Sequence, residues 1–133
     1  MRMEIGFPGN RKVSAKVRQF EVMTDQPVYG GGDDTAPSPF ELFLASLGTC
    51  AGIYVKGFCM QRGISTDGIR IIQEAEPGPQ PGLLGKIRLL IEVPPDFPEQ
   101  YKNAVIQSAS LCAVKKNLET PPTFDIAVET RDN

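Results

Sequence analysis

At the start of the chain, apolar and polar residues alternate. Met3 to Phe7 and Val13 to Val17 carry the period-two pattern of half-buried strands and flank Pro8-Gly9-Asn10, which predicts a hairpin. Phe20, Val22 and their neighbours extend a third strand, ending near Asp25-Gln26-Pro27. Gly30-Gly31-Gly32-Asp33-Asp34 reads as a flexible loop. No lysine follows it at P-loop spacing, so phosphate binding has little support there.

The period changes at Ser38-Pro39-Phe40-Glu41. Ser38 is a good N-cap, Pro39 suits the first helical position, and Glu41, three residues after the cap, completes a capping box. The predicted helix runs to about Gln61 and stops at Gly63. Its apolar residues, among them Leu42, Phe43, Leu44, Leu47, Ile53, Tyr54, Val55 and Phe58, lie all round the cylinder. Such a helix must be buried on every side. At 1.5 Å per residue it would be about 34 Å long, roughly the width of a small domain. One modest sheet and one further helix do not easily cover it, whereas a second copy of the chain would. The pattern alone therefore argues for an obligate dimer.

Ile69 to Ala75 and Lys86 to Val93 read as two strands joined by a Pro/Gly-rich connection. Pro98 and Glu99 open a second predicted helix, with Tyr101, Val105, Ala109 and Cys112 on one stripe. Lys115 and Lys116 stand at its C-terminal end, where the helix dipole favours cations. Pro121-Pro122 ends it. Phe124, Ile126 and Val128 then alternate as a final strand before the polar tail Arg131 to Asn133. The order of strands, long helix, strands, helix and strand is α+β, in a single domain spanning residues 1–133.

Composition narrows the chemistry. With 41% apolar and 23% charged residues in 133, the chain is an ordinary globular one. A net charge of −2 supplies no basic field for nucleic acid or anionic lipid. The most apolar stretch, Leu42 to Phe58, is short for a membrane span and contains Gly48, Gly52, Lys56 and Gly57, so it reads as a buried helix. The N-terminal stretch shows no signal-peptide pattern, and the expected location is the cytoplasm. There is no histidine and there are three cysteines without a CxxC pair. Zinc at recognised spacings, histidine-ligated haem, Ser-His-Asp triads and Cys-His pairs are all excluded. Chemistry without a cofactor, on cysteine, carboxylate, arginine or lysine, is what is left.

Thr24-Asp25-Gln26-Pro27, followed by Ala36-Pro37-Ser38-Pro39-Phe40-Glu41-Leu42-Phe43-Leu44-Ala45-Ser46-Leu47-Gly48-Thr49-Cys50, resembles the signature of OsmC/Ohr proteins. Cys112-Ala113-Val114-Lys115 is similar to the second cysteine motif of that family, and the element order agrees over nearly the whole chain. The resemblance implies an intertwined homodimer, with long central helices packed against antiparallel sheet and sites at the subunit interface. It implies thiol peroxidase activity in oxidative-stress defence, with organic hydroperoxides preferred. Cys50 would attack the peroxide, Cys112 would resolve the sulfenic acid into a disulfide, and a dithiol or lipoyl-type reductant would recycle it. Three departures stand out: Ala113 occupies the place of a usual proline, Arg11 matches the family's thiolate-supporting arginine only approximately, and Glu41 falls one residue from that arginine's partner in some subgroups.

Each residue also has a plainer reading. A lone cysteine in a packed helix is commonly a small buried hydrophobe, and for Cys50 the flanking signature is what reverses those odds. Cys59 follows Cys50 by nine residues, about 180° round a regular helix, so it is assigned to packing. Glu41, the third catalytic candidate, precedes Cys50 by the same interval and would reach the thiolate only across the dimer interface or from a distorted helix; its capping role already explains it. Gly48, Gly52 and Gly57 each cost about 1 kcal/mol relative to alanine in a helix, which predicts a neighbouring helix packed closely against them. The rival to the peroxidase is a non-catalytic dimeric protein that binds a small apolar ligand at the subunit interface.

Overall fold

The computed structural model describes residues 1–132; Asn133, the end of the expected polar tail, lies outside them. The predicted N-terminal hairpin is present and extends into a meander. Strands β1 (Glu4–Gly9), β2 (Lys12–Val17) and β3 (Phe20–Thr24) form an antiparallel sheet in the order β1-β2-β3. The register shifts between Gly6 and Gly9, around Pro8, which has no N–H to give to the ladder.

The chain divides into two compact units, residues 1–46 and 47–133. In the first, the glycine-rich loop expected to be flexible is instead pinned. Asp25 is fully buried, and its carboxylate accepts hydrogen bonds from the Gln26 N–H at 2.8 Å, the Thr35 N–H at 3.1 Å and the Thr35 hydroxyl at 2.7 Å. A Cβ on Gly32 would lie 2.0 Å from the Gln26 carbonyl oxygen, so only glycine lets the loop close on itself. Lys12 Nζ meets Asp33 Oδ2 at 2.8 Å, and Asn10 Nδ2 donates to the Gly31 carbonyl at 3.3 Å. The glycines here permit a tight path rather than motion.

The hydrogen bonds, with Thr35 first, lower the Asp25 carboxyl from its ordinary 3.8 to about 2. Because the folded value lies below the unfolded one, the contribution to stability is complete above pH 3.8 and is lost as pH falls through about 2. Denaturant titrations across that window should show a steep acid loss in the parent protein. In Asp25→Asn the acid limb should be flatter, from a lower starting stability.

Helix α1 (Pro39–Gln61) begins and ends where the sequence predicts. The Ser38 N–H donates to Glu41 Oε1 at 3.0 Å and the Glu41 N–H donates to Ser38 Oγ at 3.2 Å, the reciprocal bonds of a capping box. At the far end Gly63 adopts φ 65°, and the Ile64 N–H closes on the Cys59 carbonyl at 2.9 Å. By length and composition α1 is apolar enough to cross a bilayer, but it carries a core stripe. Within this chain that stripe is one-sided: Leu47, Ala51, Val55, Phe58 and Cys59 are buried, while Ile53 and Met60 are exposed. The all-round burial expected of α1 is not supplied by a single copy.

In the second unit, strands β4 (Arg70–Pro77) and β5 (Leu84–Glu92) pair antiparallel, with Ile71 opposite Ile91 and Gln73 opposite Leu89. Val55, Phe58, Cys59, Phe97 and Val105 form the core there, flanked by Ile71 and Ile91. Within this chain two of the three helical glycines meet this sheet. A Cβ on Gly48 would stand 2.6 Å from Gln73 Oε1, one on Gly52 would touch Ile71, and Gly57 faces open space.

Two expectations fail in the C-terminal third. The single helix predicted from Pro98 is broken into α2 (Lys102–Ala109), entered through a 3₁₀ turn over Glu99–Tyr101, and α3 (Ala113–Glu119). At the break the Ser110 hydroxyl bonds back to the Ile106 carbonyl at 3.0 Å, a local competition that serine offers the helix ladder. The Phe124, Ile126 and Val128 segment forms no strand, and all three side chains are exposed. A strand needs a partner backbone, and none of the described residues provides one.

Candidate functional site

The break between α2 and α3 builds the site. Cys112, expected within a helical stripe, takes an extended conformation and becomes the N-cap of α3. Its sulfur accepts the Lys115 N–H at 3.5 Å, and its carbonyl accepts the Lys116 N–H at 3.1 Å. The thiol is buried. Cys50, in the middle of α1, is half-buried and is brought against it.

The two free thiols are polarised in opposite directions. Cys50 is lowered from the ordinary thiol value, first by the hydrogen bond from the Cys112 thiol and then by the Val114 and Ala113 N–H groups, which outweigh its partial burial. Cys112 is raised, first by burial and then by the same thiol–thiol hydrogen bond. The Cys112 sulfur also lies 4.0 Å from the Leu47 carbonyl oxygen. One S–H proton cannot serve both acceptors fully, and a Cys50 thiolate is the stronger of the two. The first N–H groups of α3, which would otherwise have no intrahelical partners, are thus distributed over two sulfurs. This is the electropositive setting that makes a cysteine reactive.

Of the remaining candidates, Glu41 and Arg11 belong to the first unit and Cys59 to the core of the second. Glu41 is held by Ser38 in the capping box, whose hydrogen bonds lower its carboxyl. Arg11 lies over Gly31, its Nε 3.2 Å from the place a Cβ would occupy. Cys59 is completely buried among Val55, Phe58, Phe97 and Val105, and burial raises its thiol.

Beside the sulfurs is a feature the sequence did not announce, a cavity of about 490 Å³. Its walls are Leu47 of α1, Ile87, Leu89 and Ile91 of β5, and Leu118 of α3. Cys112 is part of the wall, and among the described residues Lys115 is its one cationic member. Alternation along β5 puts Ile87, Leu89 and Ile91 on one face, but which apolar face is left unfilled is set by how α2 and α3 cross it.

The profile of the OsmC-like protein family matches residues 31–127, a span that contains both cysteines and the cavity. The chain belongs to the OsmC-like family. No curated protein sequence matches it. Among solved structures, the OsmC-like protein of Mycoplasma pneumoniae aligns over 90% of this chain and 87% of its own, with a TM-score of 0.69 and 15% identity. An organic hydroperoxide resistance protein of Legionella pneumophila aligns over 88% and 87%, with a TM-score of 0.56 and 16% identity. At these identities the likeness is one of fold, and it agrees with the α+β class read from the element order. Against the OsmC-like pattern, Ala113 leaves an N–H at the first position of α3 where a proline would have none, and that N–H points at Cys50.

Proposed function

We propose that this OsmC-like chain is a thiol peroxidase, a single functional domain in which Cys50 reduces hydroperoxides, organic ones by preference, and Cys112 resolves the product. The observation that carries this reading is the Cys112 thiol hydrogen-bonded to a Cys50 sulfur that also receives the Val114 and Ala113 N–H groups. The Cys50 thiolate attacks one peroxide oxygen, the O–O bond breaks, and the departing alkoxide takes a proton to leave as alcohol. Cys50 is then a sulfenic acid. The Cys112 sulfur attacks it, a disulfide forms, and water leaves with the Cys112 proton. A dithiol or lipoyl-type reductant returns both thiols. Glu41 serves this chemistry indirectly, by capping the helix that carries Cys50.

We place the protein in the cytoplasm as a homodimer. Exposed Ile53 and Met60 on α1, and the unpaired Phe124, Ile126 and Val128, are the apolar surfaces a second copy would cover. Light scattering of the full chain should read twice 14.5 kDa.

The deciding assay follows consumption of an apolar hydroperoxide and of hydrogen peroxide per subunit, with a dithiol and with a monothiol as reductant. Catalytic turnover, faster with the apolar peroxide and the dithiol, is expected. A protein that consumes neither peroxide with either reductant, yet binds small apolar molecules in the 490 Å³ cavity, would instead be a binding protein.

A further inference from the structure

Helix α3 has little of its own to hold it. It is seven residues long, and none of them is buried. An isolated helix of that length is marginal in water. Two of its side-chain ties, Lys115 Nζ to Glu119 Oε1 at 3.5 Å and Asn117 Nδ2 to the Ala113 carbonyl at 2.9 Å, connect α3 to itself on an exposed surface, where such contacts are weak. What fixes its first turn is sulfur. The Lys115 N–H donates to Cys112 Sγ at 3.5 Å, and the Ala113 and Val114 N–H groups donate to Cys50. These are the same two sulfurs that a disulfide would join.

We infer that α3 is coupled to the redox state of the chain: a disulfide between Cys50 and Cys112 withdraws the sulfurs that cap its first turn, the helix loosens, and the disulfide is in consequence easier to reduce. The inference rests on the Cys50–Cys112 disulfide proposed above. In its formation the two sulfurs bond to each other and two electrons go to the peroxide. The peroxide oxygens leave, with both thiol protons, as alcohol and water.

Two changes then act on the helix. The sulfurs, joined by a hydrogen bond in the reduced chain, must close to about 2.05 Å. Cys112 Sγ already meets the Lys115 N–H at 3.5 Å, and turning it further to Cys50 lengthens that bond. The second change is electrical. A sulfur that carries negative charge is a strong acceptor, whereas a disulfide sulfur is neutral and accepts weakly. The first N–H groups of α3 lose their acceptors, and loss of a cap opens a helix start about fivefold.

The coupling is reciprocal. If the disulfide loosens α3, then a formed α3 favours the two thiols by the same factor. A disulfide is the more oxidising the more its reduced form is stabilised. Helix α3 thus works against the disulfide, and each turnover ends in a bond that a thiol reductant opens readily.

The test uses the full chain, with diamide making the disulfide so that no peroxide is needed. Amide hydrogen exchange, followed by mass in peptides covering residues 111–120, is expected to be at least about fivefold faster in the oxidised chain than in the reduced one. Equal exchange in the two states overturns the inference. A second measurement equilibrates the chain with reduced and oxidised dithiothreitol and reads the disulfide fraction by mass after acid quenching. Lys116→Gly weakens α3 at an exposed position and should shift that equilibrium about threefold towards the disulfide, because the reduced form is the one with a helix to lose. Lys116→Ala, which removes the same charge and keeps the helix, should move it by less than about twofold. An equilibrium unmoved by Lys116→Gly, or moved equally by both variants, also overturns the inference. A chain that turns over peroxide while α3 exchanges alike in both states loses the coupling and keeps the peroxidase. One that shows both shifts but consumes no peroxide keeps the coupling and loses the peroxidase. Failure of diamide to join Cys50 to Cys112 removes both.

Discussion

Cys50→Ser should reduce peroxide turnover to the uncatalysed background, because a serine hydroxyl is a far poorer nucleophile than a thiol whose ionisation the surrounding hydrogen bonds make easier. Cys112→Ser should behave differently. It leaves the Ala113 and Val114 N–H groups aimed at Cys50, so one peroxide per subunit is still consumed. Without a second sulfur the sulfenic acid persists and proceeds to sulfinic and sulfonic acids under excess peroxide. Intact mass after exposure should therefore show added oxygen on Cys112→Ser and loss of two hydrogens on the parent. Cys59→Ser is the control. It should keep turnover and lose about 1–3 kcal/mol of stability, the cost of placing a hydroxyl without a ready partner in the fully buried core. A Cys50→Ser protein as active as the parent would end the peroxidase reading, whatever the other two variants do.

The second large effect concerns the peptide nitrogen at the start of α3. Ala113→Pro should be tolerated by the helix, since proline suits the first helical position. It removes one N–H from the Cys50 sulfur, which moves that thiol back toward its ordinary value. A hydrogen bond to a charged group contributes about 1.5 kcal/mol, about tenfold in thiolate fraction, so alkylation of Cys50 near neutral pH should slow by up to about tenfold. The sign is definite: the pH at which the thiolate forms should rise, and the rate at pH well above it should be no lower than the parent's, since a thiolate of higher pKa is the stronger nucleophile. Iodoacetamide alkylation, followed by mass at Cys50 across pH, reads both. A parent whose Cys50 titrates like a free cysteine, or an Ala113→Pro profile that overlays the parent, would show that α3 does not hold the thiolate.

Much of this molecule is legible in one dimension because its controlling interactions are local. The capping box at Ser38 and Glu41 and the glycine stop at Gly63 bracket α1 correctly, since each involves residues within one turn. The meander and the β4-β5 pair follow from alternation between turn signals, with ends within two residues or so of those expected, and their register shifts where Pro8 or the glycine-rich connection interrupts the ladder. The assignment of Cys59 to packing needed only the pitch of a helix. The cysteine motif, the α+β order and the family they point to could all be read before any coordinates.

Other features needed partners distant in the chain. The stripe through Tyr101, Val105, Ala109 and Cys112 is genuine helical periodicity, yet the chain breaks at Ser110 and Leu111, where Ser110 bonds back to the Ile106 carbonyl and the first N–H groups of α3 turn to the Cys50 sulfur. That break turns Cys112 from a core residue into an N-cap and creates the N–H cluster that polarises the two thiols. Gly48 and Gly52 signalled a close approach, but only the packed fold could say that β4 makes it. The alternation of Phe124, Ile126 and Val128 specifies a strand's faces without supplying a neighbour, and pairing is a property of two segments. Sequence by itself determined which residue types are available and which local elements they favour, because propensity, capping and period act over a few residues. The tertiary structure alone decided which thiol is lowered and which raised, which lines the cavity, and which apolar faces stay uncovered, because those depend on burial and on hydrogen bonds between residues far apart in the chain.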